Sequence, residues 1–159
     1  MINIVLSRSG AKYVCFDIEK FYPSIPLGRP EYVKIQLSKI PQEFIAEYNL
    51  TSLMHKGWIY FEICRGCYGL PQSVLLANKQ LRLRLEKEGY YESRTNPGLW
   101  RHKWIPIQFC LVVDDFGVEC VGEKHADHLA TILKKYHNIT EDWEGKNILG
   151  LTENGTMKK

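Results

Sequence analysis

Long hydrophobic runs are missing from this sequence: no window holds the roughly 18 unbroken apolar residues that a membrane helix requires. Residues 1–10 open with Ile2, Ile4, Val5 and Leu6 but lack the basic, then apolar, then small-residue order of a secretory signal. Charge of one sign is scarce as well. The 21 Lys and Arg exceed the 18 Asp and Glu by only 3, which permits a nucleic-acid partner without demanding one. There are no internal repeats, linkers or low-complexity tracts, which excludes solenoids, collagen-like chains and disorder. No Ser/His/Asp order and no phosphate-cradling glycine loop occurs, which sets hydrolase and nucleotide-kinase chemistry aside. The 5 cysteines are an odd number in a chain that needs no staples, which favours a reducing, intracellular location.

What is present is enough for a core. With 159 residues, 45% of them hydrophobic, the chain suits one domain. Residues 13–18 read as a strand that stops at Pro23 and Pro26. Residues 32–37 alternate Val33, Ile35 and Leu37 with an exposed face, as in a half-buried strand. Pro41 opens a short helix carrying Phe44, Ile45 and Tyr48, and residues 58–63 form a strand that pairs with 32–37 as an excursion. From 72 to 88 a helix is predicted, with Val74, Ala77, Leu81 and Leu85 as its buried stripe and Gly89 as its stop. Residues 108–121 read as two strands joined at an Asp114-Asp115 tip. A helix over 123–137 follows, then a final strand over 148–151. The order is β, α, β-β, α, β with one excursion, which predicts an α+β fold of the ferredoxin-like, split βαβ kind.

Two acidic features carry the chemistry. Asp114 and Asp115 lie between apolar strands, where adjacent like charges repel unless a cation relieves them. A solvated Asp-Asp turn is the plain alternative, since Asp is common in turns. Asp17 adds a second acid at the end of an apolar strand, a costly place for an unpaired charge. In a split βαβ sheet that strand and the hairpin are central neighbours, so Asp17 and Asp114 are expected to face one site. Carboxylate oxygens suit a hard divalent ion such as Mg²⁺, and two such ions could activate a 3′-hydroxyl and stabilise a pyrophosphate leaving group. A Cys₂His₂ zinc site drawn from Cys64, Cys67, His125 and His128 is the weaker option, because its halves are far apart and no second CxxC exists.

Phe16-Asp17-Ile18-Glu19-Lys20-Phe21-Tyr22, then Tyr68-Gly69-Leu70-Pro71-Gln72, then Val112-Val113-Asp114-Asp115 resemble motifs A, B and C of a reverse transcriptase. The chain is most similar to the copia-type LTR retrotransposon polymerases, over about residues 13–151. The resemblance implies a polymerase palm with the excursion inserted between motifs A and B. The 159 residues would be a single partial domain, with fingers and thumb largely lying outside it. It implies RNA-directed DNA polymerase activity, with Mg²⁺ (or Mn²⁺) supporting transfer of deoxynucleoside triphosphates to a primer on an RNA or DNA template. By the same resemblance Asp17, Asp114 and Asp115 are the catalytic acids. Asp17, Asp114 and the Ile18 carbonyl would hold metal, Tyr22 would be the aromatic gate under the incoming sugar, with a core tyrosine as the plain alternative, and Gln72 would lie near nucleotide and template, with a surface Gln at a helix start as its plain alternative. The remainder of a Pol polyprotein is the implied partner, in the cytoplasm or a retroelement particle, with no membrane involved.

Three positions depart from the family pattern: Val112 opens motif C, Ser73-Val74 follows Gln72, and Pro23 follows Tyr22. They define the alternative expectation, an inactive retroelement remnant that still binds nucleic acid. A nucleotidyl cyclase on a similar palm is a further rival, and the Tyr68-to-Gln72 motif speaks against it. Arg65, Lys79, Arg82, Arg84 and Lys87, with Tyr60, Tyr68, Tyr90 and Tyr91 nearby in sequence, are candidates for a primer–template groove; a solvated helix face is the simpler account of at least half of the charges.

Overall fold

The computed structural model describes residues 9–145. Strand β1 (Ala11–Ile18) buries Val14, Phe16 and Ile18, the period-2 set on one face of the pleat. Strands β6 (Ile107–Val112) and β7 (Asp115–Val121) do the same with Ile107, Phe109 and Leu111 and with Phe116, Val118 and Cys120. Together with β4 (Tyr90–Glu92), β5 (Leu99–His102) and β8 (Ile139–Asp142) they form a 6-stranded sheet in the order β4-β5-β6-β7-β1-β8. Every neighbouring pair is antiparallel. The fold is therefore mixed α+β.

Two helical crossovers link these strands. Helix α3 (Pro71–Lys87) precedes β4 in the chain, and helix α4 (Glu123–Lys134) leads from β7 to β8. Ala77, Leu81 and Leu85 of α3 share one buried cluster with Ala126, Leu129 and Leu133 of α4 and with the inward residues of β1, β6 and β7. Both helices thus cover the same face of the sheet. Before α3 the chain makes the expected excursion. Strand β2 (Pro26–Gln36) pairs antiparallel with β3 (Trp58–Arg65), and helices α1 (Gln42–Glu47) and α2 (Leu50–Leu53) lie between them in the chain. Ile45, Leu50 and Ile59 form a separate small core there.

Several elements differ from their sequence reading, each for a local reason. Residues 90–92 and 99–102 carry no strand signal in the sequence, because they are short, Ser93 and Arg94 follow the first and Arg101 interrupts the second, so no period emerges. The hairpin turn holds Val113 and Asp114, not Asp114 and Asp115: Val112 and Asp115 are direct cross-strand partners, so Asp115 is already in β7. Helix α4 ends at Lys134 rather than His137. The strand expected over 148–151 lies outside the described residues, and the strand after α4 is β8, whose Ile139-Thr140-Glu141-Asp142 carries one large apolar side chain. The buried row of α3 starts at Ser73, while Val74 is 46% exposed. A row of positions 73, 77, 81 and 85 turns by about 40° per step, which leaves Val74 roughly a quarter turn away from it.

Candidate active site

The register of the central strands sets the acids. β1 and β7 pair Cys15 with Gly117, Phe16 with Phe116 and Asp17 with Asp115, so Asp17 and Asp115 are direct cross-strand partners. The hairpin tip then folds onto the end of β1: the Ile18 N–H donates to the Asp114 carbonyl at 3.1 Å. Burial raises the proton affinity of the Asp114 carboxyl first, and the charge of Asp17 raises it further. Sites 97 residues apart in sequence (114 − 17) thus interact electrostatically at one end of the central strands.

Val113, next to Asp114, has φ +62°. A β-branched residue seldom adopts this left-handed conformation, and strain of that kind collects at sites where a side chain must be aimed. Here the two-residue turn leaves Val113 no extended alternative while Val112 and Asp115 stay paired.

Tyr22 follows β1 in a tight turn closed by Ser24 N–H to Lys20 carbonyl (3.1 Å) and Ile25 N–H to Tyr22 carbonyl (2.9 Å). Ser24 and Ile25 supply the donors, so Pro23 withholds no bond the turn needs. Tyr22 is buried, and its hydroxyl pKa is raised by burial, then by the Asp114 charge and by Tyr68. It therefore belongs to the same cluster as the acids. Tyr68 meets it edge to face, ring centroids 5.0 Å apart, and remains 68% exposed. The sequence names Tyr68 as a candidate for the primer–template groove and as the opening of the second motif; its contact with Tyr22 is what the sequence does not show. Gly66 allows this approach: a Cβ there would lie 2.6 Å from the Tyr22 carbonyl oxygen and 3.2 Å from Ser73 Oγ.

Gln72 has a different neighbour. It sits in the first turn of α3, where Pro71 occupies N1, and its side-chain amide donates to the Glu31 carboxylate of β2. That contact ties α3 to the excursion. Of the candidate groove residues, Arg82 pairs with Glu92 and lies over the Trp100 ring, and Arg84 bonds His137 and lies over Tyr136. Tyr90 is buried, its hydroxyl 3.0 Å from His128 Nδ1. These side chains serve the interior of the fold; Arg65, Lys79, Lys87, Tyr60 and Tyr91 are exposed.

Among the described residues no three or more His, Cys, Asp and Glu side chains form a group arranged to hold a metal ion. Cys64, Cys67, His125 and His128 are thus not gathered as zinc ligands. The carboxylates of Asp17 and Asp114 are nevertheless hard-oxygen donors, and a divalent cation would relieve the repulsion between their charges. Mg²⁺ usually keeps several waters and needs only one or two protein carboxylates. The donor chemistry fits such an ion. No helix among the described residues is long and apolar enough to cross a membrane. Compared with protein-family models the chain matches none, and no curated protein matches it.

Proposed function

We propose that this chain is the palm of an RNA-directed DNA polymerase of the retrotransposon type, transferring deoxynucleotides to a primer 3′-hydroxyl. The observation that carries the reading is the placement of Asp114 beside the end of β1, set by the β1–β7 register and by the bond from the Ile18 N–H to the Asp114 carbonyl, with the Asp17 charge acting on the Asp114 carboxyl. The strand order supports it. β1 and β6 run parallel with β7 between them, β8 lies on the other side of β1, and a helix bridges each crossover, an order compatible with a split βαβ plan. Fold alone does not assign chemistry, so the weight rests on the acids and on the ordered motifs.

Asp17, Asp114 and the Ile18 carbonyl would hold Mg²⁺, which when bound supplies charge neutralisation for the attacking hydroxyl and the departing pyrophosphate. The remaining work belongs to the chain. Asp115, opposite Asp17, contributes negative potential on the adjoining strand. By the resemblance Tyr22 would lie under the incoming sugar and exclude a 2′-hydroxyl; Tyr22 is itself buried, and the Tyr68 ring packed edge to face against it is the exposed one of the pair. Primer extension tests the reading, using the chain joined to segments that complete a polymerase hand. Asp114→Ala is expected to reduce extension by several orders of magnitude. Equal extension by wild type and variant would refute the assignment.

The second reading, an inactive remnant that binds nucleic acid, is favoured by one contact: the Gln72 amide is engaged with Glu31. Salt-dependent RNA binding without extension distinguishes it.

A further inference from the structure

Two tyrosine rings meet near Asp114, and only one of them faces solvent. Tyr22 is 6% exposed and Tyr68 68% exposed, with ring centroids 5.0 Å apart and planes at 86°. An edge-to-face pair uses at most one face of the Tyr68 ring, so the other stays open. The Tyr22 hydroxyl is within electrostatic reach of both the Asp114 carboxylate and Tyr68. Tyr22 thus links the open ring to the acids.

Exposure alone does not single Tyr68 out, since Tyr32 is 73% and Tyr60 59% exposed. Its backbone does. The Leu70 N–H donates to the Cys67 carbonyl at 3.3 Å, and Gly69 between them has φ +85°, the left-handed third position that a type II turn requires. This turn is fastened on both sides. On one side the Cys67 N–H donates to Ser73 Oγ at 3.0 Å and the Ser73 N–H to the Leu70 carbonyl at 2.9 Å, with Ser73 fully buried in the first turn of α3. On the other side the Gly66 N–H donates to the Ile25 carbonyl at 2.8 Å, and the Ile25 N–H to the Tyr22 carbonyl at 2.9 Å. A side chain at position 66 would collide with that Tyr22 carbonyl oxygen. A ring idling on a surface loop needs none of these ties; a ring that must hold one pose does.

We propose that Tyr68 is the specificity-determining ring of the site, lying against the deoxyribose of the incoming nucleoside triphosphate, with Tyr22 as its support and Ser73 as its positioning residue. This role rests on the polymerase reading and moves the sugar contact from the buried ring to the open one. A deoxyribose presents a C2′ methylene that an aromatic face covers without loss. A ribose presents a hydroxyl there, which the same face would strip of water and leave without a partner. Tyr22, at 6% exposure, has no free face to offer a substrate.

The test is primer extension by the chain joined to segments that complete a polymerase hand, comparing kcat/KM for a deoxynucleoside triphosphate with that for the matching ribonucleoside triphosphate. The ratio cancels the fraction of active protein, so a variant that is merely destabilised leaves it unmoved. Tyr68→Ala is expected to lower the deoxy-to-ribo ratio about tenfold to a hundredfold. Tyr68→Phe, which keeps the ring, should hold it within about twofold. Ser73→Ala, which loosens the turn, should lower it about threefold to tenfold. A second measurement uses the chain as it is: tyrosine nitration by tetranitromethane, mapped by mass spectrometry, with and without dTTP and Mg²⁺. Tyr68 is expected to be protected by the nucleotide while Tyr32 and Tyr60 are not. Extension that still needs Asp114 but keeps an unchanged ratio in Tyr68→Ala overturns the inference, and so does a Tyr68 nitrated equally with and without nucleotide. Equal extension by wild type and Asp114→Ala refutes the polymerase reading instead, and this role falls with it.

Discussion

At φ +62°, Val113 stores strain beside Asp114, whose carboxyl is pushed up by burial, and the stored energy can be measured. A left-handed conformation costs an ordinary L-residue about 1–2 kcal/mol, with β-branched side chains at the upper end. Asn tolerates it because its short polar side chain bonds to nearby backbone. Replacing Val113 also removes a side chain that is 44% exposed, so a loss of about 0.7–1 kcal/mol of apolar burial offsets part of the relief. The informative comparison is therefore Val113→Asn against Val113→Ala. Both lose nearly the same burial, and only Asn suits the conformation. Val113→Asn is expected to be more stable than Val113→Ala by about 1 kcal/mol, and equal to or slightly more stable than wild type. For a chain of this length that separates the two variants by about 2–4 °C in melting temperature. Urea unfolding followed by circular dichroism reads the difference directly, with the slope checked for constancy. If Val113→Ala equals or exceeds Val113→Asn, the turn does not hold Val113 in the left-handed region and the strain argument fails.

Two further outcomes follow from packing and from a buried base. Leu81→Ala, in the middle of the α3 row, should cost about 2–5 kcal/mol in urea unfolding, whereas Val74→Ala should cost less than about 1 kcal/mol; equal costs would mean that the row does not begin at Ser73. His137, buried beside Phe21 with Nε2 2.7 Å from an Arg84 nitrogen, has its pKa lowered to about 4 by burial and by that guanidinium. A depressed histidine pKa favours folding above the unfolded value of 6.5, and that contribution is lost as pH falls toward about 4. Wild type should thus lose stability more steeply than His137→Gln between those limits, and parallel stability–pH curves would refute the assignment.

The sequence by itself determined what depends on short range. The period-2 run before Asp17, the apolar strands around Asp114 and Asp115 and the apolar stripe of α4 are local patterns, and they located β1, the β6–β7 hairpin and the helix. The excursion was legible for the same reason: Val33 and Ile35 alternate, and Trp58 to Ile63 is rich in strand formers. The order of the acids along the chain was legible too. Which residue lies opposite which was not. Register is fixed by turn geometry and by contacts between segments distant in sequence, and a shift of one residue reverses every side chain. Only the tertiary structure put Asp115 across from Asp17, drew Asp114 into the turn with Val113, and set Tyr68 against Tyr22. The same holds for Gln72, whose partner Glu31 lies in a strand 41 positions earlier. Strands β4, β5 and β8 were settled at that level as well. Each is too short to show a period, and each exists because a longer neighbour offers it a free edge to pair with.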